Sequence, residues 1–148
     1  MEIKEIGIAS DHAGYKLKEL LKDHLSKHFS QIMVHDMGCF SEESCDYSDF
    51  GHKLANEIEG GKYVYGIAIC GSGNGINMTL NKHQKIRSAI CWNSKIALLA
   101  REHNDANVCT LPGRFVTEDD ALDIIEVFLT TDFLGERHLR RIQKIPLA

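Results

Sequence analysis

Ile67-Ala68-Ile69-Cys70-Gly71-Ser72-Gly73-Asn74-Gly75 is the stretch that decides the fold. The apolar run from Tyr63 to Ile69 reads as a buried strand, ends at a cysteine and then breaks into three glycines within five residues. Ile76 to Lys82 has the composition to continue as a helix. Strand, glycine turn and helix in that order is how α/β proteins build an anion cradle: glycines let successive N–H groups converge, and the helix N-terminus adds partial positive charge. Ile76 stands where a third glycine would complete G-x-G-x-x-G, and no Gly-Lys-Ser/Thr follows. A dinucleotide fingerprint and a P-loop are therefore both excluded. What remains is a small anion pocket with a thiol at its rim.

Outward from that loop, strand-like and helix-like stretches alternate along the whole chain. Ile3 to Ala9 reads as a first strand, left by the turn Ser10 to Gly14. Leu17, Leu20, Leu21 and Leu25 recur at helical spacing with lysines between them, which predicts an amphipathic helix with a solvated basic face. His24 and His28, four apart on it, are candidates for a metal pair, but no third ligand is near. Gln31 to Asp36 predicts a second strand, and Met37 to Ser48 a polar loop whose Ser and Asp residues can cap a helix from Phe50 to Glu59. Beyond the glycine loop, Ser88 to Cys91 reads as a strand, Ser94 to Glu102 as a helix and Val108 to Leu111 as a fifth strand. Thr117-Glu118-Asp119-Asp120 resembles a capping box ahead of the apolar face Ala121, Ile124, Ile125, Phe128, Leu129. A basic arm, about 132–148, closes the chain. Five such alternations without repeat or linker predict one α/β domain: a three-layer αβα sandwich on a five-stranded parallel sheet.

The 148 residues suffice for a single core. A formal charge of -4 with mixed signs argues against nucleic-acid or membrane-surface partners. No signal peptide is apparent, and no apolar run approaches ~20 residues, so a soluble cytoplasmic protein is expected. Five cysteines (39, 45, 70, 91 and 109) without a C-x-x-C pair suggest neither a disulfide framework nor a thiolate zinc site.

Open parallel sheets bind ligands at the carboxyl ends of their strands. The turns there contain Asp11-His12, Cys70 to Gly75, Trp92-Asn93 and Pro112 to Arg114. Cys70 stands out among the thiols, because a glycine loop and helix N-terminus favour a thiolate that can act as nucleophile or base; Cys91 and Cys109 read as inert core residues. Asp11 and His12 could equally cap the first helix, His103 could cap the helix it ends, and Asn104 and Asn107 could serve turns. Arg137, Arg140 and Arg141 read as a solvated face, although arginines at i and i+4 can grip a phosphate.

Taken together, Asp11-His12-Ala13-Gly14, Asp46-Tyr47, Cys70 to Gly75, Asn81-Lys82, Ile86-Arg87, Arg101 to Asn107, and Arg137-His138 with Arg141 lie in the order and spacing of one family. The chain resembles the type B ribose-5-phosphate isomerases, a family that also holds the lactose-pathway galactose-6-phosphate isomerase subunits. The resemblance spans nearly the whole chain. It implies a Rossmann-like fold and an aldose–ketose isomerase of the non-oxidative pentose phosphate pathway that uses no metal or organic cofactor. Position by position, it implies that Cys70 moves the proton between C1 and C2, while Ser72 and the amides of Gly71, Gly73, Asn74 and Gly75 hold the enediolate oxygens. It further implies that His103 opens the furanose with Asp11 and Asn104 orienting the sugar, that His12, Arg114, Arg137 and Arg141 bind phosphate, and that Tyr47 lines the pocket.

Some members carry a glutamate just after the glycine loop as base; here that position is Ile76, which leaves Cys70. Other departures are Ser72 for threonine, Ser48 for proline, Leu80 for a small residue, Pro112-Gly113 for Gly-x, and Glu136 for glycine. Alternatives are a six-carbon sugar phosphate such as allose or galactose 6-phosphate, or a non-catalytic phosphosugar binder, which would need neither Cys70 nor His103. The resemblance also implies a homodimer or dimer of dimers with shared active sites. Leu139, Ile142 and Ile145 on the arm, with no evident cover in their own subunit, agree with that.

Overall fold

The computed structural model describes residues 5–147, so the expected strand residues Ile3 and Lys4 and the arm's last residue, Ala148, lie outside the described residues. Five strands, β1 (Glu5–Ser10), β2 (Met33–Asp36), β3 (Tyr65–Cys70), β4 (Ser88–Ile90) and β5 (Val108–Pro112), form one sheet in the order β2-β1-β3-β5-β4. Every pairing is parallel. Six helices accompany them: α1 (Tyr15–His28), α2 (Tyr47–Glu59), α3 (Asn74–Leu80), α4 (Ser94–Asn104), α5 (Glu118–Thr130) and α6 (Arg137–Ile142). A single 3-10 turn, His12–Gly14, precedes α1.

Period-two alternation along the strands divides the core between the two faces of the sheet. Ile6, Ile8, Tyr65, Ile67, Ile69, Cys109 and Leu111 pack with α1, α4 and α5, whereas Ala9, Ala68, Cys70 and Val108 pack with α2 and α3. The expected face of α5 (Ala121, Ile124, Ile125, Phe128, Leu129) is buried throughout. Thr117 Oγ accepts from the Asp120 N–H at 3.1 Å, as a cap should. Chain order reverses between β1 and β3, so the connections leaving their carboxyl ends part to opposite faces and leave a crevice there.

Several expectations are corrected. The basic face of α1 is not all solvated: Lys18 is fully buried and paired with Asp36 at 2.5 Å, joined by Lys22 at 2.8 Å. Burial pushes the Asp36 carboxyl up, but the two ammonium groups and the Gly38 N–H outweigh it and hold it below its ordinary range. Helix α2 begins at Tyr47 rather than Phe50, and Asp46 occupies its N-cap position without a side-chain bond. Helix α4 runs through His103 and ends at Asn104, so Asp105, in the left-handed region at φ +46°, is the cap and His103 is not. On the arm, Ile142 is buried against its own subunit, while Leu139 and Ile145 stay 44% and 55% exposed.

Candidate active site

Cys70 is the last residue of β3, opposite Pro112 of β5, and is buried on the α2/α3 side of the sheet. The chain then turns through Gly73 at φ +80°, a conformation that suits glycine. Ser72 Oγ accepts from the Asn74 N–H at 3.2 Å, which stiffens the loop. Among the described residues, the amides of Gly71, Ser72 and Gly73 have no acceptor within the protein. Three donors at the end of a strand are therefore left for a ligand oxygen.

Neighbouring elements close on this loop. The Gly113 N–H donates to the Cys70 carbonyl at 2.9 Å and the Arg114 N–H to the Gly71 carbonyl at 3.0 Å. That folds the Pro112-Gly113-Arg114 turn over the loop and lays the Arg114 guanidinium against Gly71, 3.2 Å from where a β-carbon would sit. Tyr47, at the start of α2, covers Gly75; a β-carbon there would come within 2.4 Å of the phenol ring. Just past β1, Asp11 is buried, its N–H bonded to the Ile69 carbonyl at 3.1 Å and its Oδ1 accepting from the Gly14 N–H at 3.1 Å. The Cys45 N–H donates to His12 Nδ1 at 3.2 Å, which leaves the His12 proton on Nε2 as a donor. This role of Cys45 escaped the sequence reading, because a backbone donor carries no residue signature.

Burial, then the neighbouring Cys39, pushes Cys45 up to about 11. A hydrogen bond with Cys91, then burial, raises Cys109 well above its ordinary value. Both stay protonated at neutral pH.

The remaining candidates gather at the opposite edge of the sheet. Helix α4 runs back from the carboxyl edge for 11 residues, about 16 Å at the usual rise, so its final residues His103 and Asn104 lie at the amino edge. There the rings of His103 and His138 stack, centroids 4.3 Å apart and 13° from parallel. His138 is held below its ordinary value by burial, then by His103 and the guanidiniums of Arg137 and Arg141. Arg137 and Arg141 are exposed on α6. Buried Arg101 anchors the helix end, donating to Asp105 Oδ1 at 2.9 Å and to the Ala106 carbonyl at 2.7 Å. One chain thus brings together Asp11, His12, Tyr47, Cys70 to Gly75 and Arg114. It separately brings together His103, Asn104, Arg137 and Arg141, and it does not join the two groups.

An open parallel sheet with a thiol and an unpaired amide loop at its switch point defines an α/β protein with a cradle suited to a small anion. The chain belongs to the ribose/galactose isomerase family, whose model matches residues 6–145. A ribose 5-phosphate isomerase from Thermotoga maritima is 42% identical, with a TM-score of 0.94 over 99% of both chains. Ribose-5-phosphate isomerase B from Mycoplasma genitalium, solved with ribulose-5-phosphate bound, is 40% identical with a TM-score of 0.89 over 95% of this chain and 93% of that one. A probable ribose-5-phosphate isomerase B from Mycoplasma pneumoniae is 40% identical over 141 residues, 95% of this chain and 91% of the relative.

Proposed function

We propose that this chain interconverts ribose 5-phosphate and ribulose 5-phosphate through an enediolate, as a cytoplasmic enzyme of the pentose phosphate pathway. The observation that carries this reading is the Cys70 thiol set beside the unpaired amides of Gly71, Ser72 and Gly73. Moving a proton between adjacent carbons of a hydroxycarbonyl requires a base at that bond and donors for the oxyanion that forms. Cys70, as thiolate, takes the C2 proton of the open aldose; that C–H electron pair forms the C1–C2 double bond and the carbonyl pair moves onto O1. The 2-hydroxyl proton passes to O1, O2 becomes the ketone oxygen, and the Cys70 thiol, after exchange with solvent, returns a proton to C1. The loop amides and the Ser72 hydroxyl receive the enediolate oxygens. His12 Nε2–H and Arg114 bind phosphate from the same edge.

The ring must open first, and His103 is the acid–base group for that step, with Asn104 and Asp11 orienting the sugar. Since His103, Arg137 and Arg141 stand at the far edge of the same chain, a second copy supplies them, and the working unit is a homodimer or a dimer of dimers. The test is direct. The protein with ribose 5-phosphate in deuterated water should form ribulose 5-phosphate carrying deuterium at C1, with galactose 6-phosphate turned over far more slowly. Absence of both products would overturn the reading, and preference for galactose 6-phosphate would reassign the substrate.

A further inference from the structure

An imidazole in acid–base service is ordinarily aimed by a hydrogen bond to the nitrogen that does not react. Among the described residues, neither nitrogen of His103 has such a partner. Its ring is supported in another way: it lies face to face on His138, centroids 4.3 Å apart and 13° from parallel.

That support is itself firmly held. His138 and Ile142, four apart on α6, are the buried residues of that helix, while Arg137 and Arg141 stand in solvent. The chain leading into α6 is pinned to α4 at two points. Arg101 Nε donates to the Thr131 carbonyl at 3.1 Å, and the Leu134 N–H donates to the Glu102 carbonyl at 3.1 Å. His138 is 6% exposed, and its ring nitrogens also bond nothing among the described residues. What it offers is a flat face. Burial, then His103, Arg137 and Arg141, opposed only by Glu136, lower its pKa, so at neutral pH it is an uncharged ring rather than a second proton donor.

On the ring-opening role given above to His103, we propose that His138 is a positioning residue for that step: its buried ring is the platform that fixes the His103 imidazole and leaves both His103 nitrogens free for the sugar. The platform serves furanose opening alone. Ribulose 5-phosphate has no furanose to open, because its 5-oxygen carries the phosphate.

Two variants separate a stacking platform from mere filling. His138→Phe keeps a flat face without nitrogens, and His138→Leu fills the space without a flat face. At saturating ribose 5-phosphate, turnover should fall about 10–100-fold in His138→Leu and stay within about threefold of wild type in His138→Phe. Exchange of the C1 hydrogen of ribulose 5-phosphate with deuterated water needs Cys70 but no ring opening. It should survive in both variants, which also shows that each is folded. Wild-type turnover in His138→Leu, equal losses in His138→Leu and His138→Phe, or C1 exchange lost in step with turnover overturns the proposal. A wild type that isomerises no ribose 5-phosphate overturns the reading of the function instead.

Discussion

Cys70 differs from the other cysteines in its neighbours rather than in its burial. Cys91 and Cys109 are equally buried but hydrogen-bond each other inside the sheet layer, and Cys45 is held as a thiol. Cys70 ends a strand where the next three amides are unpaired. Cys70→Ala removes the proposed base and little packing. It should fold as wild type, by circular dichroism and melting, yet lose turnover by several kcal/mol of barrier, on the order of a thousandfold or more. Iodoacetamide should inactivate the wild type, with ribose 5-phosphate protecting. Near-normal turnover in Cys70→Ala would end the assignment. Gly75 gives a second test. A methyl there meets the Tyr47 ring at 2.4 Å, so Gly75→Ala must displace the ring or the loop at a cost of about 1–3 kcal/mol. If Tyr47 lines the sugar pocket, KM should rise in Gly75→Ala, and Tyr47→Ala should share that defect. Unchanged KM in both would remove Tyr47 from the pocket.

At the scale of elements, the clasp between α1 and β2 links stability to pH. The Asp36 carboxyl lies below its unfolded value of about 3.9. Its stabilisation is therefore complete above pH ~4 and fades as pH falls through the folded value, where protonation leaves the buried Lys18 ammonium with only the longer 3.8 Å pairing to Glu19. Asp36→Asn should cost about 3 kcal/mol at neutral pH, because it leaves a fully buried ammonium with only the 3.8 Å pairing to Glu19. Its denaturant midpoint should also lose part of the wild type's decline below pH 4. An unchanged acid limb would show that the pair contributes nothing to acid unfolding. This clasp also marks where sequence reading stops. Lys18 sits among lysines on a helix of ordinary amphipathic pattern, and only the fold brings Asp36 to it. By contrast, the face of α5 and the strand–glycine–helix junction at Cys70 were legible, because residues close in sequence determine them. The placement of β5 between β3 and β4 was not, since crossover order depends on which strands pair across the molecule. The candidate site residues were legible as motifs, whereas their division between two edges required the direction of α4.

At the scale of the whole molecule, that division leads to a test of assembly. The thiol and its amide loop lie at the carboxyl edge; His103, Arg137 and Arg141 lie at the other, about 16 Å away along α4. A two-fold axis that sets the carboxyl edge of one subunit against the amino edge of its partner builds two complete sites reciprocally. Exposed Leu139 and Ile145 on the arm are apolar surface that such docking would cover. If sites are shared, Cys70→Ala and His103→Ala should each be nearly dead alone. Unfolded and refolded together, half the dimers become hybrids in which one site has both defects and the other has none. Random pairing then restores about a quarter of wild-type turnover, one good site in two for half the population. A site contained in one chain gives no intact site in any hybrid. A mixture that stays dead, with subunit exchange demonstrated by differently tagged chains recovered together, would rule the shared site out.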